Sequence, residues 1–382
     1  MPRRALGLLV LLIVLVSCGG SPTAVNPTSV AQVTATDAAI VPPPTDTGSL
    51  DCGSSEPVKQ KLQQIRQFTN ENTEGGLKGA FVRSVAFDSY NRAVWMGYGL
   101  GAGVGNFDGT NWRFCMKLQH VNAMLVLKDG TVLAGTDRQS ETEGEPHGLW
   151  VLRNGVWQDY SASLPDSRVF GIYDQGDQVL VATWEGVARV DLNNHGPWEV
   201  VYSTQVNGVS NHIHTMLKDK GGDIWLGSVA NGVYWYSGGK WNNLVCHDCP
   251  GTANTPSSPI KGTLPGNNIR KIIQAPDGKV WIAIEAIRGD EAGQGGGITS
   301  YSPLGGWISY SSDWNGGADR VMDVAVDPSG RIWMASKDRG TLFLEGRKWV
   351  VFDSNPSNAL AFGNGNIYIG TDGFGLVVAP LP

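Results

Sequence analysis

The stretch from residue 213 to residue 241 reads IHTMLKDKGGDIWLGSVANGVYWYSGGKW, and its pattern recurs along the chain. Its centre is an apolar tetrad that ends in Gly, Ile224-Trp225-Leu226-Gly227. A short apolar segment precedes the tetrad, a Gly and a third apolar segment follow it, and Trp241 opens a fourth. Each unit therefore supplies four strand-like runs joined by short turns.

The tetrad recurs in seven copies that share an apolar start and a small last residue. The copies are Val94-Trp95-Met96-Gly97, Val132-Leu133-Ala134-Gly135, Val179-Leu180-Val181-Ala182, Ile224-Trp225-Leu226-Gly227, Val280-Trp281-Ile282-Ala283, Ile332-Trp333-Met334-Ala335 and Ile367-Tyr368-Ile369-Gly370. Four antiparallel strands per unit, repeated at intervals of 35 to 56 residues, are typical of β-propeller blades. The sequence thus predicts an all-β fold, a seven-bladed β-propeller of four-stranded antiparallel blades over residues 60–382.

The seventh unit supplies only three strands before the chain ends at Pro382. Near the start of the domain, Ile65-Arg66-Gln67-Phe68 has the same spacing as the closing strand Trp349-Val350-Val351-Phe352. We expect this N-terminal segment to be the outer strand of the seventh blade, because pairing it there covers two exposed sheet edges.

The first residues are typical of a secretory signal. Arg3 and Arg4 precede an apolar run that ends just before Ser17-Cys18. Cys18 in this context resembles the lipobox of bacterial lipoproteins, which implies a signal peptide over residues 1–18 and a lipid on Cys18. An ordinary signal peptide with an incidental Cys is the alternative.

Residues 19–59 are predicted to be a disordered tether. From residue 19 to residue 50 the chain has no aromatic residue, Lys or Arg, and it is rich in Pro, Thr and Ala. We therefore expect an exported protein of the cell envelope, held at the outer side of a bacterial membrane by its lipid alone.

The repeat resembles the two-component regulator propeller repeat, most closely over Ile224–Trp241 and Ile332–Trp349. The resemblance implies an extracytoplasmic sensing domain. No kinase follows Pro382 in this chain, so the expectation is a stand-alone propeller that senses a ligand or serves as a protein-interaction scaffold.

Loop lengths indicate where binding would occur. The connections between strands one and two and between strands three and four are cut to tight turns such as Lys128-Asp129-Gly130. The connections between strands two and three and between blades hold the extra length, and they share one face of a propeller, which we call the long-loop face. Long insertions on one face of a repeat protein are usual binding sites, so we expect binding there, over the central channel.

The side chains expected at this face carry both signs of charge. They include aromatic residues that lie outside the recurring Trp positions of the tetrads and closing strands. The candidates are Arg168, Trp184, Glu185, His212, His214, Glu285, Trp314, Arg320 and Asp338. The expected partner is a small molecule, a glycan or a protein. A net charge of −6 argues against binding to nucleic acid, because nucleic acid is itself negatively charged. His212 and His214 lack a defined third ligand, so no metal site is predicted, and no cofactor is expected.

No catalytic motif stands out, which favours a binding protein over an enzyme. The alternative rests on a second resemblance, to streptogramin lyases, which are propeller enzymes that use His and Glu residues. By that resemblance His212, His214 and Glu285 would be the active residues.

The four remaining cysteines suit disulfides in an exported protein. We predict a bond between Cys246 and Cys249, and a second between Cys52 and Cys115. A zinc site or a redox pair is the alternative for Cys246 and Cys249.

Overall fold

A computed structural model describes residues 56–57, 66–137, 147–176, 178–193, 199–210, 212–246, 264–287, 295–310, 319–346 and 348–382. Within these residues, antiparallel strands form seven sheets, which confirms the predicted seven-bladed propeller. Two short strands come first in the chain and pair with later ones, β1 (Glu56–Pro57) and β2 (Arg66–Phe68).

The strands of each blade follow one another from the channel outward in chain order, except that N-terminal strands β1 and β2 are the outermost strands of blades one and seven. Blade one contains β3 (Val82–Asp88), β4 (Ala93–Tyr98), β5 (Val104–Phe107), β6 (Asn111–Met116) and β1. Blade two contains β7 (Val121–Val126), β8 (Val132–Thr136), β9 (Leu149–Arg153) and β10 (Val156–Asp159). Blade three contains β11 (Val169–Asp174), β12 (Val179–Thr183), β13 (Gly186–Val190) and β14 (Glu199–Tyr202).

The remaining four blades follow the same order. Blade four contains β15 (Ile213–Lys218), β16 (Ile224–Ser228), β17 (Val233–Ser237) and β18 (Lys240–Leu244). Blade five contains β19 (Ile269–Gln274), β20 (Val280–Ile284), β21 (Gly297–Ser302) and β22 (Gly306–Ser309). Blade six contains β23 (Val321–Val326), β24 (Ile332–Ser336), β25 (Gly340–Glu345) and β26 (Lys348–Asp353). Blade seven contains β27 (Ser357–Gly363), β28 (Asn366–Thr371), β29 (Leu376–Pro380) and β2. In the described part of the chain, one 3-10 turn (Ser161–Ser163) and one short helix, α1 (Thr204–Asn207), lie between blades.

The hydrophobic core is divided among the interfaces between neighbouring blades, with one cluster at each of the seven interfaces. The tetrad Trp of one blade meets the closing Trp of the next. Trp95 packs edge to face on Trp157 at 6.3 Å between ring centroids, and Trp225 packs on Trp307 at 6.3 Å. Trp95, Trp157 and Trp225 are large apolar side chains that are buried between the blades.

The small last residue of the tetrad lets neighbouring blades approach. A Cβ added to Gly227 would lie only 2.5 Å from Cγ2 of Ile269, the first residue of the next innermost strand. At this position only Gly therefore fits without a shift of the neighbouring side chains.

The ring closes as the sequence predicts. In β2, Arg66 pairs with Val378 and Phe68 pairs with Leu376, which gives blade seven its fourth strand. Phe68 also packs edge to face on Trp112 of blade one at 5.2 Å, so the N-terminal strand joins the first and last blades. Strand β1, from the segment expected to be a tether, pairs with Trp112 in a contact that the sequence does not predict.

Cys115 and Cys246 are both disulfide-bonded. Their predicted partners Cys52 and Cys249, like Cys18, lie outside the described residues. Among the described residues no helix is long and apolar enough to cross a membrane.

Candidate functional site

Each innermost strand carries a β-bulge directly after its first residue. The register shift recurs at the same place in all seven blades, between Val82 and Ser84 in blade one and between Ile213 and Thr215 in blade four. A bulge bends a strand and redirects the side chain of its extra residue, and bulges are frequent beside active sites. We call the seven residues at these positions the bulge ring; they are Arg83, Asn122, Phe170, His214, Arg270, Met322 and Asn358.

All seven residues of the bulge ring line one cavity of about 490 Å³ in the central channel. Its wall also includes Asp137, Trp184, Val229 and Lys337, each of which lies in a connection between the second and third strands of a blade. Those connections belong to the long-loop face. The cavity is therefore at the channel mouth on the face where the sequence predicts binding.

One side of the cavity is an aromatic wall built by blades three and four. The rings of Trp184 and His212 stack at 3.8 Å between centroids. Phe170 lies 4.4 Å from the ring of His214 and 5.9 Å from that of Trp184. Arg168 covers the Trp184 ring at 4.6 Å. Flat apolar faces of this kind suit the ring of a small ligand.

Arg168 is itself fixed in place. Its Nε and Nη2 donate to the two carboxylate oxygens of Asp166 at 2.8 and 2.6 Å. This fork-to-fork pair fixes the orientation of the guanidinium over Trp184. Arg168 thus shapes the aromatic wall and has little freedom to reach into the cavity.

A polar network joins blades four and five. Arg270 donates from Nη1 to Nδ1 of His214 at 3.2 Å and from Nε to Oε2 of Glu285 at 2.5 Å. Asn268 donates to the same Glu285 oxygen at 3.1 Å. The Oδ1 atom of Asn268 is buried and, within the described part of the chain, has no hydrogen-bond partner.

His214 is neutral in this network. Burial lowers the pKa of His214 well below 6.5, and electrostatic repulsion, first from Arg270 and then from His212, lowers it further. Because a guanidinium can only donate, Nδ1 is the acceptor and the single proton of the imidazole is on Nε2. Neither ring nitrogen then has a free lone pair, so His214 can donate a hydrogen bond but cannot take up a proton as it stands.

A second charged pair lies in the channel, one position further along the strands of blades five and six. Burial lowers the pKa of Lys271, but the nearby carboxylate of Asp323 and Tyr173 together raise it above its usual value. Burial raises the pKa of Asp323, against the opposing effect of Lys271. Asp323 also accepts a hydrogen bond from the backbone N–H of Leu360 at 2.9 Å, so it helps join blades six and seven.

The structure brings together only some of the residues that the sequence singles out. Arg168, Trp184 and His214 line the cavity, His212 stacks on its wall, and Glu285 acts on the cavity through Arg270. The other candidates are arranged differently. Arg320 binds Asp338 through two nitrogens, and neither side chain lines the cavity, nor does Glu185. Trp314 lies outside the described residues.

His212 and His214 are part of the aromatic wall. In the described part of the chain no three His, Cys, Asp or Glu side chains are grouped as metal ligands. His214 and Glu285 both contact Arg270 from different sides, and no hydrogen bond joins them directly.

Sequence reasoning missed Arg83, Asn122, Phe170 and Arg270. The signal that could have found them is their shared place in the repeat, directly after the first residue of each innermost strand. Seven repeats aligned at that position give Arg, Asn, Phe, His, Arg, Met and Asn, a set too polar for a strand interior.

No protein-family profile and no curated protein matches this chain. Solved structures do match it. The extracellular domain of a putative one-component system from B. thetaiotaomicron is 16% identical with a TM-score of 0.61, over 84% of this chain and 40% of that one. The extracellular domain of a putative hybrid two-component system from B. thetaiotaomicron is 17% identical with a TM-score of 0.61, over 83% of this chain and 41% of that one.

This chain thus spans about two fifths of the length of those extracellular domains. Virginiamycin B lyase from Staphylococcus aureus is 12% identical with a TM-score of 0.58, over 84% of this chain and 99% of that one. At these identities the likeness concerns the fold. The repeat predicts a fold similar to that of two-component regulator propellers, and these neighbours confirm that similarity of fold.

Proposed function

We propose that this chain is an exported, ligand-binding propeller of the sensing type, which recognises its ligand at the bulge ring on the long-loop face. The observation that carries the proposal is the sevenfold bulge. Every blade directs one side chain into the same cavity, and these side chains differ in chemistry from blade to blade. A ring that served packing alone would repeat one apolar residue, as the tetrads do.

The arrangement of the polar side chains supports binding over catalysis. In the lyase-like alternative, His214 or Glu285 would have to exchange a proton with a substrate. Both are instead bound to Arg270, and His214 presents only an N–H toward any further partner. Fixed donors and a rigid aromatic wall are features of a recognition site.

The proposal includes a lipid anchor at Cys18 and a tether from residue 19 to the start of β1, which would hold the propeller away from a membrane. Replacing Cys18 with Ser should move the protein from the membrane fraction to the soluble fraction. A soluble unaltered protein would contradict the anchor and leave the binding proposal standing.

A ligand screen tests the binding proposal. The full chain is screened by ligand-observed NMR against sugars, carboxylic acids, amino acids and short peptides. Compounds that bind are then measured with Trp184→Ala, which removes part of the aromatic wall, and with Tyr90→Ala. Tyr90 is the matched control, because it is 69% exposed in a turn on the opposite face.

We expect Trp184→Ala to weaken binding by about tenfold or more, as loss of a stacked aromatic contact would, and Tyr90→Ala to leave it unchanged. Compounds that bind both variants as tightly as the unaltered protein would contradict the proposed site.

A further inference from the structure

The arginines of the long-loop face differ in one respect. Among the described residues of this face, Arg168, Arg270, Arg320 and Arg339 each bind a carboxylate through the guanidinium. Arg83 of the bulge ring is the exception. Its Nε donates to Oδ1 of Asn122 at 3.0 Å. Among the described residues, no carboxylate lies within ion-pair distance of the Arg83 guanidinium. The terminal nitrogens Nη1 and Nη2 of Arg83 therefore remain available to a ligand.

The environment of Arg83 favours an incoming anion. Arg83 lines the cavity and is half-buried, so its charge is partly removed from water. This burial lowers the pKa of Arg83, and the positive charge of Arg270 lowers it further, against the opposing effect of Asp137, Asp372 and Glu285. A carboxylate could accept hydrogen bonds from Nη1 and Nη2 at once, one with each oxygen. It would then supply a negative charge beside the guanidinium.

One acidic side chain of the cavity calls for a hydrogen-bond donor. Asp137 lines the cavity and acts electrostatically on Arg83, and among the described residues its carboxylate forms no ion pair. A ligand that pairs with Asp137 would carry hydroxyl or ammonium groups besides its acid group.

The aromatic wall and the size of the cavity limit the body of the ligand. A volume of about 490 Å³ holds a small molecule of one or two rings. Trp184 and Phe170 both line the cavity, with 5.9 Å between their ring centroids, and so place aromatic surface beside such a ring. The acid group, the donors and the ring together define a class of ligand.

We propose that Arg83 is the carboxylate-binding residue of this cavity, and that the ligand is a small carboxylic acid with hydrogen-bond donors and a ring. The inference rests on the proposed function and adds the class of ligand. Sugar acids and aromatic amino acids share this chemistry, and the experiment separates them.

The test measures dissociation constants by calorimetry with the full chain at fixed ionic strength. D-glucuronate is compared with D-glucose, and L-phenylalanine is compared with phenethylamine, so that each pair differs in the carboxylate. The variants are Arg83→Gln, Arg83→Lys and the control Arg113→Gln. Arg113 is also an arginine of blade one, but it binds Asp108 on the outer strands, away from the channel.

We expect one carboxylate to bind, its partner without the acid to bind at least about tenfold more weakly, and Arg83→Gln to cause a loss of similar size, as for a hydrogen-bonded charge. Arg83→Lys should retain part of the affinity, and Arg113→Gln should retain all of it. The carboxylate that binds identifies the source as a sugar acid or an amino acid.

Absence of binding by either carboxylate, or equal binding by the unaltered protein and Arg83→Gln, would overturn the inference. A neutral compound whose binding depends on Trp184 but not on Arg83 would overturn it while supporting the proposed function.

Discussion

The hairpin turn between the first two strands of blade six begins with an Asp, where the equivalent turn of blade five begins with an Ala. The turn is Asp327-Pro328-Ser329-Gly330 in blade six and Ala275-Pro276-Asp277-Gly278 in blade five. Both have the same backbone hydrogen bond, from the Gly N–H to the carbonyl of the first residue at 2.9 Å. Oδ2 of Asp327 accepts from Nε1 of Trp333 at 2.9 Å. In blade five the equivalent Nε1 of Trp281 is buried and has no acceptor among the described residues.

Exchanging these residues should change stability in opposite directions. Asp327→Ala leaves the buried Trp333 donor unpaired, which costs about 1–3 kcal/mol, and it removes the turn hydrogen bonds from the backbone of Ser329 and Arg331. We expect a loss of about 2–4 kcal/mol in the free energy of unfolding. Ala275→Asp gives Trp281 the missing acceptor and should add about 1 kcal/mol, the usual net contribution of one hydrogen bond.

The assay is urea unfolding at pH 7, followed by tryptophan fluorescence. Ala275→Leu is the matched control, because Leu is similar in size to Asp and has no acceptor. The reasoning is refuted if Asp327→Ala unfolds within about 0.5 kcal/mol of the unaltered protein, the range of ordinary surface changes. It is also refuted if Ala275→Asp is no more stable than Ala275→Leu.

Three further predictions concern the ring closure, a buried histidine and a disulfide. Phe68→Ala should destabilise the propeller by about 3–5 kcal/mol, because Phe68 is buried between the first and last blades; a urea midpoint close to that of the unaltered protein would argue against closure by β2. Folding lowers the pKa of His214, so below the unfolded pKa of about 6.5 the unfolded chain takes up a proton that the folded protein does not. The free energy of unfolding should therefore fall by up to about 1.4 kcal/mol per pH unit below that pH. His214→Gln should therefore reduce the fall in urea midpoint between pH 7.5 and pH 5.5, and an undiminished fall in the variant would count against this assignment. Non-reducing peptide mapping should recover Cys246 joined to Cys249, and any other partner for Cys246 would exclude that pairing.

The fold could be predicted from the sequence because one physical requirement repeats. Each blade must bury an apolar strand against the next blade, so the tetrads recur, and the missing fourth strand of blade seven identifies β2 as its replacement. The pairing of Trp225 with Trp307 follows from the same requirement. These features depend on residue type and spacing, which a sequence shows directly.

The site could be predicted only in part. Trp184 lies outside the recurring Trp positions of the repeat, and His214 is an unusual residue in an inner strand, so the sequence identifies both as candidates. Arg83 and Arg270 could not be identified in this way. A bulge directs them into the channel, and the alternation of inward and outward residues along a strand does not show where a bulge lies. Arg320 and Asp338 were singled out for their charge, but they neutralise each other outside the cavity. Pairing of this kind depends on distances between blades, which spacing within a repeat does not reveal.

Hydrogen exchange with a compound from the ligand screen tests the central claim, that this propeller binds at the bulge ring, most directly. The account predicts slower exchange in residues 166–174 and 212–216 when the compound is added to the full chain. These residues carry Phe170, His212 and His214 of the aromatic wall and two of the bulges. Residues 127–131 and 219–223, which form hairpin turns on the opposite face, should exchange at the same rate with and without it. Protection of those turns, with no change at the bulges, would contradict the account.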